Sequence, residues 1–200
     1  MLDVEVIDDP AAATVALNPV RSRLLFELAE PASAATLSTR LGIARQKINY
    51  HLRALESHRL VRVAEKRMWG GLTERLMEAS AKSYVVSPGA MGRAATDPDR
   101  SADRLSAGYA VALAARVIRE VGALWRKSQE LDKRLPTLSM DTAIRFASAA
   151  DRSAFSQELT KTVTSLMAKY HDASTPGGRS HRLVIMAHPL PLAARVKESS

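Results

Sequence analysis

The 200-residue chain contains no cysteine, few aromatic residues and no long apolar run. The missing cysteine excludes disulfides and thiolate metal sites. Aromatic residues make up only 4% of the chain, so the core must be built mainly from aliphatic side chains. Every apolar run is far shorter than the ~20 residues that a membrane-spanning helix needs. The first residues, MLDVEVIDD, are acidic where a secretion signal would be basic. We therefore expect a cytoplasmic protein with no membrane partner.

The common catalytic motifs are also missing. The sequence has no G-x-S-x-G, no H-E-x-x-H and no glycine-rich phosphate loop. Gly177-Gly178 lacks the strand and the lysine of such a loop and is typical of a turn. We therefore expect no enzyme activity, no cofactor and no bound metal.

Positive charge is concentrated in one segment. The formal net charge is +8 and the pI is about 10.1. Between Arg40 and Arg67, eight Lys and Arg residues stand against two Glu residues, which leaves +6 in this segment. Such a density attracts polyanions, and nucleic acid is the commonest polyanion in the cytoplasm.

This basic segment also has the pattern of a helix-turn-helix. Asn18-Pro19 is typical of a helix start, and Ser33 can cap a second helix that Gly42 ends. A third helix is predicted over 44–58, with Ile48, Leu52 and Leu55 on one buried stripe. Alternating residues and a Gly70-Gly71 turn predict a β-hairpin after it. We therefore predict an N-terminal arm at 1–17 and a winged helix-turn-helix domain at 18–87.

In such a domain the third helix enters the major groove of DNA and the second helix braces it. On the polar face of the third helix, Arg can pair with guanine, and Gln and Asn with adenine. Lys47 and Arg53 suit phosphates, and Tyr50 can reach a phosphate or a thymine methyl. We favour Arg45, Gln46 and Asn49 for base contacts. The full set of predicted DNA contacts is Thr36, Thr39, Arg45, Gln46, Lys47, Asn49, Tyr50, Arg53, Lys66 and Arg67.

A proline- and glycine-containing linker at 88–103 separates this domain from a long predicted helix at 104–135. The helix carries a heptad seam with one polar position at Ser128, and a second copy of the same helix would bury it. We therefore expect a homodimer. The predicted interface residues are Ala114, Val117, Val121, Leu124 and Leu131.

The remaining chain predicts a strand-helix-strand pattern. Residues 137–147 and 181–187 alternate like strands around a helix, so 137–190 is predicted to form a β-α-β unit, followed by a tail at 191–200. Two strands make a poor sheet, so we expect the N-terminal arm, a second subunit, or both to complete it. The predicted fold class is thus α+β, mostly α, with a winged helix-turn-helix domain, a long dimerisation helix and a C-terminal β-α-β unit.

A small-molecule effector is a further candidate partner. Met140, Met167 and Met186 all fall in the C-terminal unit, and methionine-lined surfaces adapt to varied apolar ligands. The alternative is that these residues form the plain core of a small unit.

The segments LNPVRSRLLFELAEP and TLSTRLGIARQKINYHLRALESHRLVR resemble the ArsR-type winged-helix repressors of bacteria. The resemblance covers about residues 15–87. It implies a homodimer that binds palindromic double-stranded DNA operators and represses transcription. Metal-sensing members use Cys on the recognition helix, or Asp and His on a C-terminal dimer helix. This chain has no Cys, and its predicted long helix has no His.

Two other interpretations remain open from the sequence. The fold is also used as a scaffold that binds a protein partner. Alternatively, His171, Asp172, His181 and His188 bind a zinc or nickel ion and make the protein a metalloregulator. For His51 and His58, on the third helix, we expect roles at the helix surface or on phosphate.

Overall fold

Three helices pack around one small apolar core. The computed structural model describes residues 1–69 and 72–191. The helices are α2 (Pro19–Glu27), α3 (Ala34–Leu41) and α4 (Arg45–Ser57), preceded by a short α1 (Pro10–Ala16). The side chains at the centre of this core are completely buried: Leu24, Leu28, Leu37, Ile48 and Leu55.

Side-chain caps begin α1, α2 and α3, whereas Ala44, the N-cap of α4, makes no side-chain hydrogen bond. Asp9 accepts hydrogen bonds from two backbone amides of α1, and Asn18 does the same for α2. The Ser33 hydroxyl accepts from the Thr36 amide at 3.2 Å at the start of α3. Gly42 ends α3 with a φ of 65°, a backbone region that glycine enters without steric cost. The sequence therefore predicted the boundaries of the three-helix core well.

An antiparallel hairpin follows α4. It joins β3 (Val61–Trp69) to β4 (Leu72–Ala79), and the two-residue strand β2 (Ala32–Ser33) pairs with the other edge of β4. The register shifts between Val63 and Glu65, which marks a bulge. The predicted turn at 70–71 lies outside the described residues.

The N-terminal arm forms a strand, but its partner differs from the expected one. β1 (Leu2–Ile7) pairs in parallel with β5 (Ala81–Val86), not with the C-terminal segments. The second arm of the predicted hairpin divides at Ser80 into two strands, β4 and β5. The Ser80 hydroxyl donates to the Leu60 carbonyl at 3.1 Å, a contact that holds this division.

The long helix α5 (Ala107–Glu130) packs against β1 and is shorter than the predicted 104–135. Its buried face carries small residues, and the Arg126 guanidinium donates to the Val6 carbonyl at 2.7 Å. The predicted linker at 88–103 contains two 3₁₀ helices, Pro88–Ala94 and Pro98–Arg100. The Arg116 guanidinium of α5 contacts the Asp97 carboxylate at 2.9 Å, so this segment is held against the helix.

The chain divides into two compact units, Met1–Leu135 and Pro136–Ser200. In the second unit the predicted helix is present as α6 (Ala149–Tyr170), capped by Ser148. The two predicted strands are not formed: residues 136–148 and 171–191 have no regular secondary structure. A strand needs a neighbouring strand for its backbone groups, and neither segment has one among the described residues. Within the described chain, no helix is long and apolar enough to cross a membrane.

Candidate nucleic-acid interface

The helix α4 separates a buried stripe from an exposed polar face. Ile48, Leu52 and Leu55 point into the core. The side chains predicted to meet DNA from this helix are all exposed: Arg45, Gln46, Lys47, Asn49, Tyr50 and Arg53. The 3.6-residue period of the helix therefore separates the two sets as the sequence pattern predicted.

The polar face of α4 is not engaged elsewhere in the described part of the chain. None of its six polar side chains has a hydrogen-bond or ion-pair partner among residues 1–69 and 72–191. Two cations outside this face do have ion-pair partners: Arg40 pairs with Glu27 at 3.6 Å, and Arg62 pairs with Glu78 at 2.7 Å. The three cations of this face, Arg45, Lys47 and Arg53, are thus free to meet an anionic ligand.

A cavity lies between α4 and the hairpin strand β4. Arg45, Asn49 and Arg53 line one side, and Arg75 of β4 lines the other. The Arg75 guanidinium pairs with the Glu56 carboxylate of α4. This pair ties the helix to the hairpin and neutralises Glu56, the single acidic residue within α4. Sequence reasoning did not identify Arg75, because no local pattern links it to a residue nineteen positions away.

The two cations predicted at the hairpin tip are not equivalent. Lys66 is exposed and has no partner among the described residues. Arg67 donates two hydrogen bonds to the Glu65 carboxylate, each at 3.0 Å. These bonds lower the pKa of Glu65 and raise the pKa of Arg67. Lys66 therefore offers a free charge, whereas the guanidinium of Arg67 is already partly satisfied.

The two threonines predicted on α3 use their hydroxyls within the helix. The Thr39 hydroxyl donates to the Ala35 carbonyl at 3.3 Å. The Thr36 hydroxyl lies 3.1 Å from the Ser33 hydroxyl. Both side chains are exposed, so each oxygen remains within reach of solvent. For Thr39 to donate to a phosphate, it would first have to release the Ala35 carbonyl.

His51 is buried, which contradicts the expected position on the helix surface. It is 7% exposed, and neither ring nitrogen has a hydrogen-bond partner among the described residues. Burial, reinforced by the positive charges of Arg21 and Lys47, lowers the pKa of its imidazole. The position follows from its spacing, since His51 lies three residues after Ile48 and four before Leu55. His58 lies farther along, with a ring nitrogen 3.7 Å from the Asp9 carboxylate.

Four of the five predicted dimer residues lie on α5 away from its contact with β1, and Leu131 is the C-cap of the helix. Ala115 and Gly122 form the buried face, while Leu124 on the opposite side is 54% exposed. The predicted interface divides into two groups by exposure, with Val121, Leu124 and Leu131 exposed and Ala114 and Val117 half-buried. The polar position of the seam, Ser128, is buried, and its hydroxyl donates to the Trp125 carbonyl at 2.7 Å.

The C-terminal histidines do not form a recognisable cluster in the described residues. Nowhere in 1–69 and 72–191 do three His, Cys, Asp or Glu side chains gather as metal ligands would. Asp172, beside His171, instead accepts hydrogen bonds from Ser174 and Thr175, which lower its pKa to about 2.

Comparison with known protein families supports the interpretation of this surface. Residues 16–64 match the family model of a helix-turn-helix domain. No curated protein matches the chain. The matched residues include α2, α3, α4 and the start of β3, so they contain the whole exposed face of α4. The chain thus carries a domain of the type found in DNA-binding transcription regulators.

Proposed function

We propose that this protein is a homodimeric, sequence-specific DNA-binding regulator of the winged helix-turn-helix type, and that it acts in the cytoplasm as a repressor. The observation that carries the proposal is the polar face of α4. That face has six exposed side chains without partners in the described chain, over a fully buried apolar stripe. Exposed cations beside Gln and Asn side chains on one helix face can contact both phosphates and base edges in a groove.

We assign the polar residues of α4 to two kinds of contact, with bases and with phosphates. The major groove is about 12 Å wide and admits one helix, and the N-terminal part of a recognition helix usually contacts base edges. Arg45, Gln46 and Asn49 lie in the first turns of α4 and are assigned to bases. Lys47, Tyr50 and Arg53 are assigned to phosphates.

The elements on either side of α4 supply further backbone contacts. α3 is the bracing helix, with Thr36 and Thr39 toward the phosphates. The β3–β4 hairpin is the wing, and Lys66 is its free phosphate-binding charge. Arg67, held by Glu65, is expected to contribute less.

The dimer is proposed to form through the exposed side of α5. A row of apolar side chains exposed to water is costly unless another surface covers it. The same face of a second copy is self-complementary under two-fold symmetry. Two recognition helices would then read half-sites about 34–36 Å apart, one turn of DNA. A protein bound across such a site blocks access to the promoter, which is the simplest form of repression.

An apolar effector is proposed as the regulatory input, as the methionines of the second unit favour. Such a ligand changes DNA binding only if it binds the DNA-competent and the free arrangement with different affinity.

Binding to labelled genomic DNA fragments, followed by fluorescence anisotropy over a salt series, tests the proposal. We expect log Kd to rise with log salt by about 0.9 for each phosphate contacted, and selected fragments to carry a palindrome. The charge-reversed variant Arg45→Glu/Lys47→Glu should lose this binding. If the unsubstituted protein shows no salt-dependent duplex binding, the proposal fails. A partner protein still captured by the charge-reversed variant would then favour the scaffold.

A further inference from the structure

The second unit leaves its apolar side chains uncovered. α6 has no buried residue along its whole length. In the segment before it, Leu138 is 87% exposed and Met140 is 88% exposed. Leu183 and Ile185, in the segment after it, are exposed as well. A unit of this size cannot remain folded on such contacts, so another surface must cover these residues.

The surface that covers these residues must offer a strand edge for backbone hydrogen bonds as well as apolar side chains. Residues 138–146 alternate with Leu138, Met140, Ile144 and Phe146 on one face, the pattern of a half-buried strand. The Phe146 ring lies 5.4 Å from the Phe155 ring of α6, so this face is the one that meets the helix. Backbone amides and carbonyls of a buried strand require neighbouring strands, which a small apolar ligand does not provide.

We propose that a second copy of the chain provides this cover, with the two 138–146 segments pairing antiparallel across the two-fold axis. The inference rests on the proposed dimer. The segment begins soon after Leu131, the last residue of the exposed α5 row. The seven residues from Leu131 to Leu138 span at most about 25 Å, so the chain connection limits how far the segment can lie from the end of α5.

In one antiparallel register, the apolar residues of the segment lie opposite the apolar residues of the same segment in the second copy. With Thr142 on the axis, Leu138 lies opposite the partner's Phe146, and Met140 lies opposite the partner's Ile144. All four apolar side chains of this pairing then share the face that meets α6. The result is an intersubunit sheet, with residues 181–187 of each copy as its outer strands.

Charge complementarity on the other face favours the same register. Asp141 becomes the diagonal neighbour of the partner's Arg145 on one side and of the partner's Asp141 on the other, so two opposite-charge pairs flank one like-charge pair. Both residues are exposed and neither has an ion-pair partner among the described residues. A slip by one residue would move the apolar side chains to the wrong face, so the register is well specified.

Disulfide trapping tests this register, because the chain has no native cysteine. In full-length Thr142→Cys the two thiols would lie across the axis as a cross-strand pair. We expect mild oxidation to yield a covalent dimer at least about tenfold faster than in the control Ser139→Cys. The control residue is also exposed, but its two copies would lie roughly 20 Å apart in this register. Equal rates in the two variants, or no covalent dimer of Thr142→Cys, would overturn the inference.

Hydrogen exchange on the unsubstituted chain gives a second measurement that needs no variant to fold. The amides of 138–146 should be protected at concentrations where the chain sediments as a dimer, and should lose that protection on dilution to monomer. Protection that persists in the monomer means that the chain covers itself. Protection that appears only with an added apolar ligand means that the ligand is the cover. Either result contradicts the second-copy inference.

The two proposals fail in different ways. A chain that sediments as a dimer and binds DNA in a salt-dependent manner, but gives no covalent Thr142→Cys dimer, overturns the intersubunit sheet alone. Rapid trapping without any DNA binding supports the sheet and removes the proposed regulator. A chain that stays monomeric at all concentrations overturns the sheet and the proposed dimer together. The proposed DNA binding is then tested separately by anisotropy.

Discussion

Gly122 of α5 faces the side chain of Val6 in β1 so closely that a Cβ on Gly122 would lie 2.8 Å from the Val6 Cβ. Real Cβ atoms do not approach other carbons to this distance, so only glycine permits this contact between the helix and the strand. The Val6 side chain is β-branched and stiff, so it cannot rotate out of the way at low cost. The close packing of α5 against β1 therefore requires a residue without a Cβ at position 122.

Gly122→Ala should destabilise the protein by about 1–3 kcal/mol, because the added methyl overpacks the α5–β1 contact. Urea unfolding followed by circular dichroism measures the change. Gly108→Ala, in the same helix, is the matched control, since its nearest neighbour would lie 3.8 Å from the new Cβ. That control should be neutral or more stable by up to about 1 kcal/mol, through helix propensity alone. Equal effects of the two substitutions would contradict this account.

Arg45→Ala should lose about 1–3 kcal/mol of affinity for the selected operator and little for unrelated DNA, because a base contact carries sequence information. Competition binding with operator and scrambled duplexes measures both values. A uniform loss on the two duplexes would assign Arg45 to phosphate instead.

Lys66→Ala should weaken binding to both duplexes alike and reduce the salt slope by about one. Arg67→Ala is the matched comparison, because Arg67 is adjacent but already bonded to Glu65. Its effect on the salt slope should be smaller than that of Lys66→Ala. The reverse order would mean that Arg67 leaves Glu65 when DNA binds.

His51 should make the protein less stable in acid. Its folded-state pKa lies below the value in the unfolded chain, about 6.5, so the unfolded chain takes up the proton more readily. The stability that depends on neutral His51 is complete above this value and is lost as the pH falls through it. The loss is at most about 1.4 kcal/mol per pH unit.

Urea unfolding of the unsubstituted chain and of His51→Leu at about pH 7.5 and about pH 5.5 isolates this contribution, because all other titrating groups are common to both. The unsubstituted chain should lose more stability between the two conditions than the variant. A parallel fall in both would show that His51 does not contribute to the pH dependence.

Leu124→Glu should shift the chain toward monomer by placing a charge in the middle of the proposed α5 interface, and should weaken binding to a two-half-site operator. Sedimentation velocity and anisotropy measure the two effects. Leu105→Glu is the control, since Leu105 is also exposed but precedes the helix. If both variants remain dimeric, the α5 interface is incorrect.

Local sequence signals were sufficient for the three-helix core. Asp9, Asn18, Ser33 and Gly42 act on their own neighbours, so capping chemistry and glycine conformation located the helix starts and the turn before α4. The stripe of Ile48 with Leu52 and Leu55 followed from helix periodicity. The same periodicity would have placed His51 in the core, but the residue type suggested a surface role.

Features that depend on distant residues did not follow from the sequence. The pairing of β1 with β5 joins segments about eighty positions apart, and Ser83 bonding to the Asp3 carbonyl is part of it. The Arg75–Glu56 pair and the Arg116–Asp97 pair are likewise nonlocal. In residues 137–147 the alternating pattern is present, yet a strand also needs a neighbour, which the single described chain does not supply.

The Tyr84 hydroxyl donates to the Leu60 carbonyl at 3.0 Å and accepts from the Ala81 amide at 3.2 Å. Since Leu60 follows α4, and Tyr84 lies on the strand that pairs with β1, this contact joins the end of the recognition helix to the sheet that carries α5. Within the first unit, α4 and α5 are thus connected through this hydrogen bond and the β1–β5 sheet. In the proposed dimer, a change at the α5 interface would therefore reach α4 along this connection and alter the spacing of the two DNA-contacting helices.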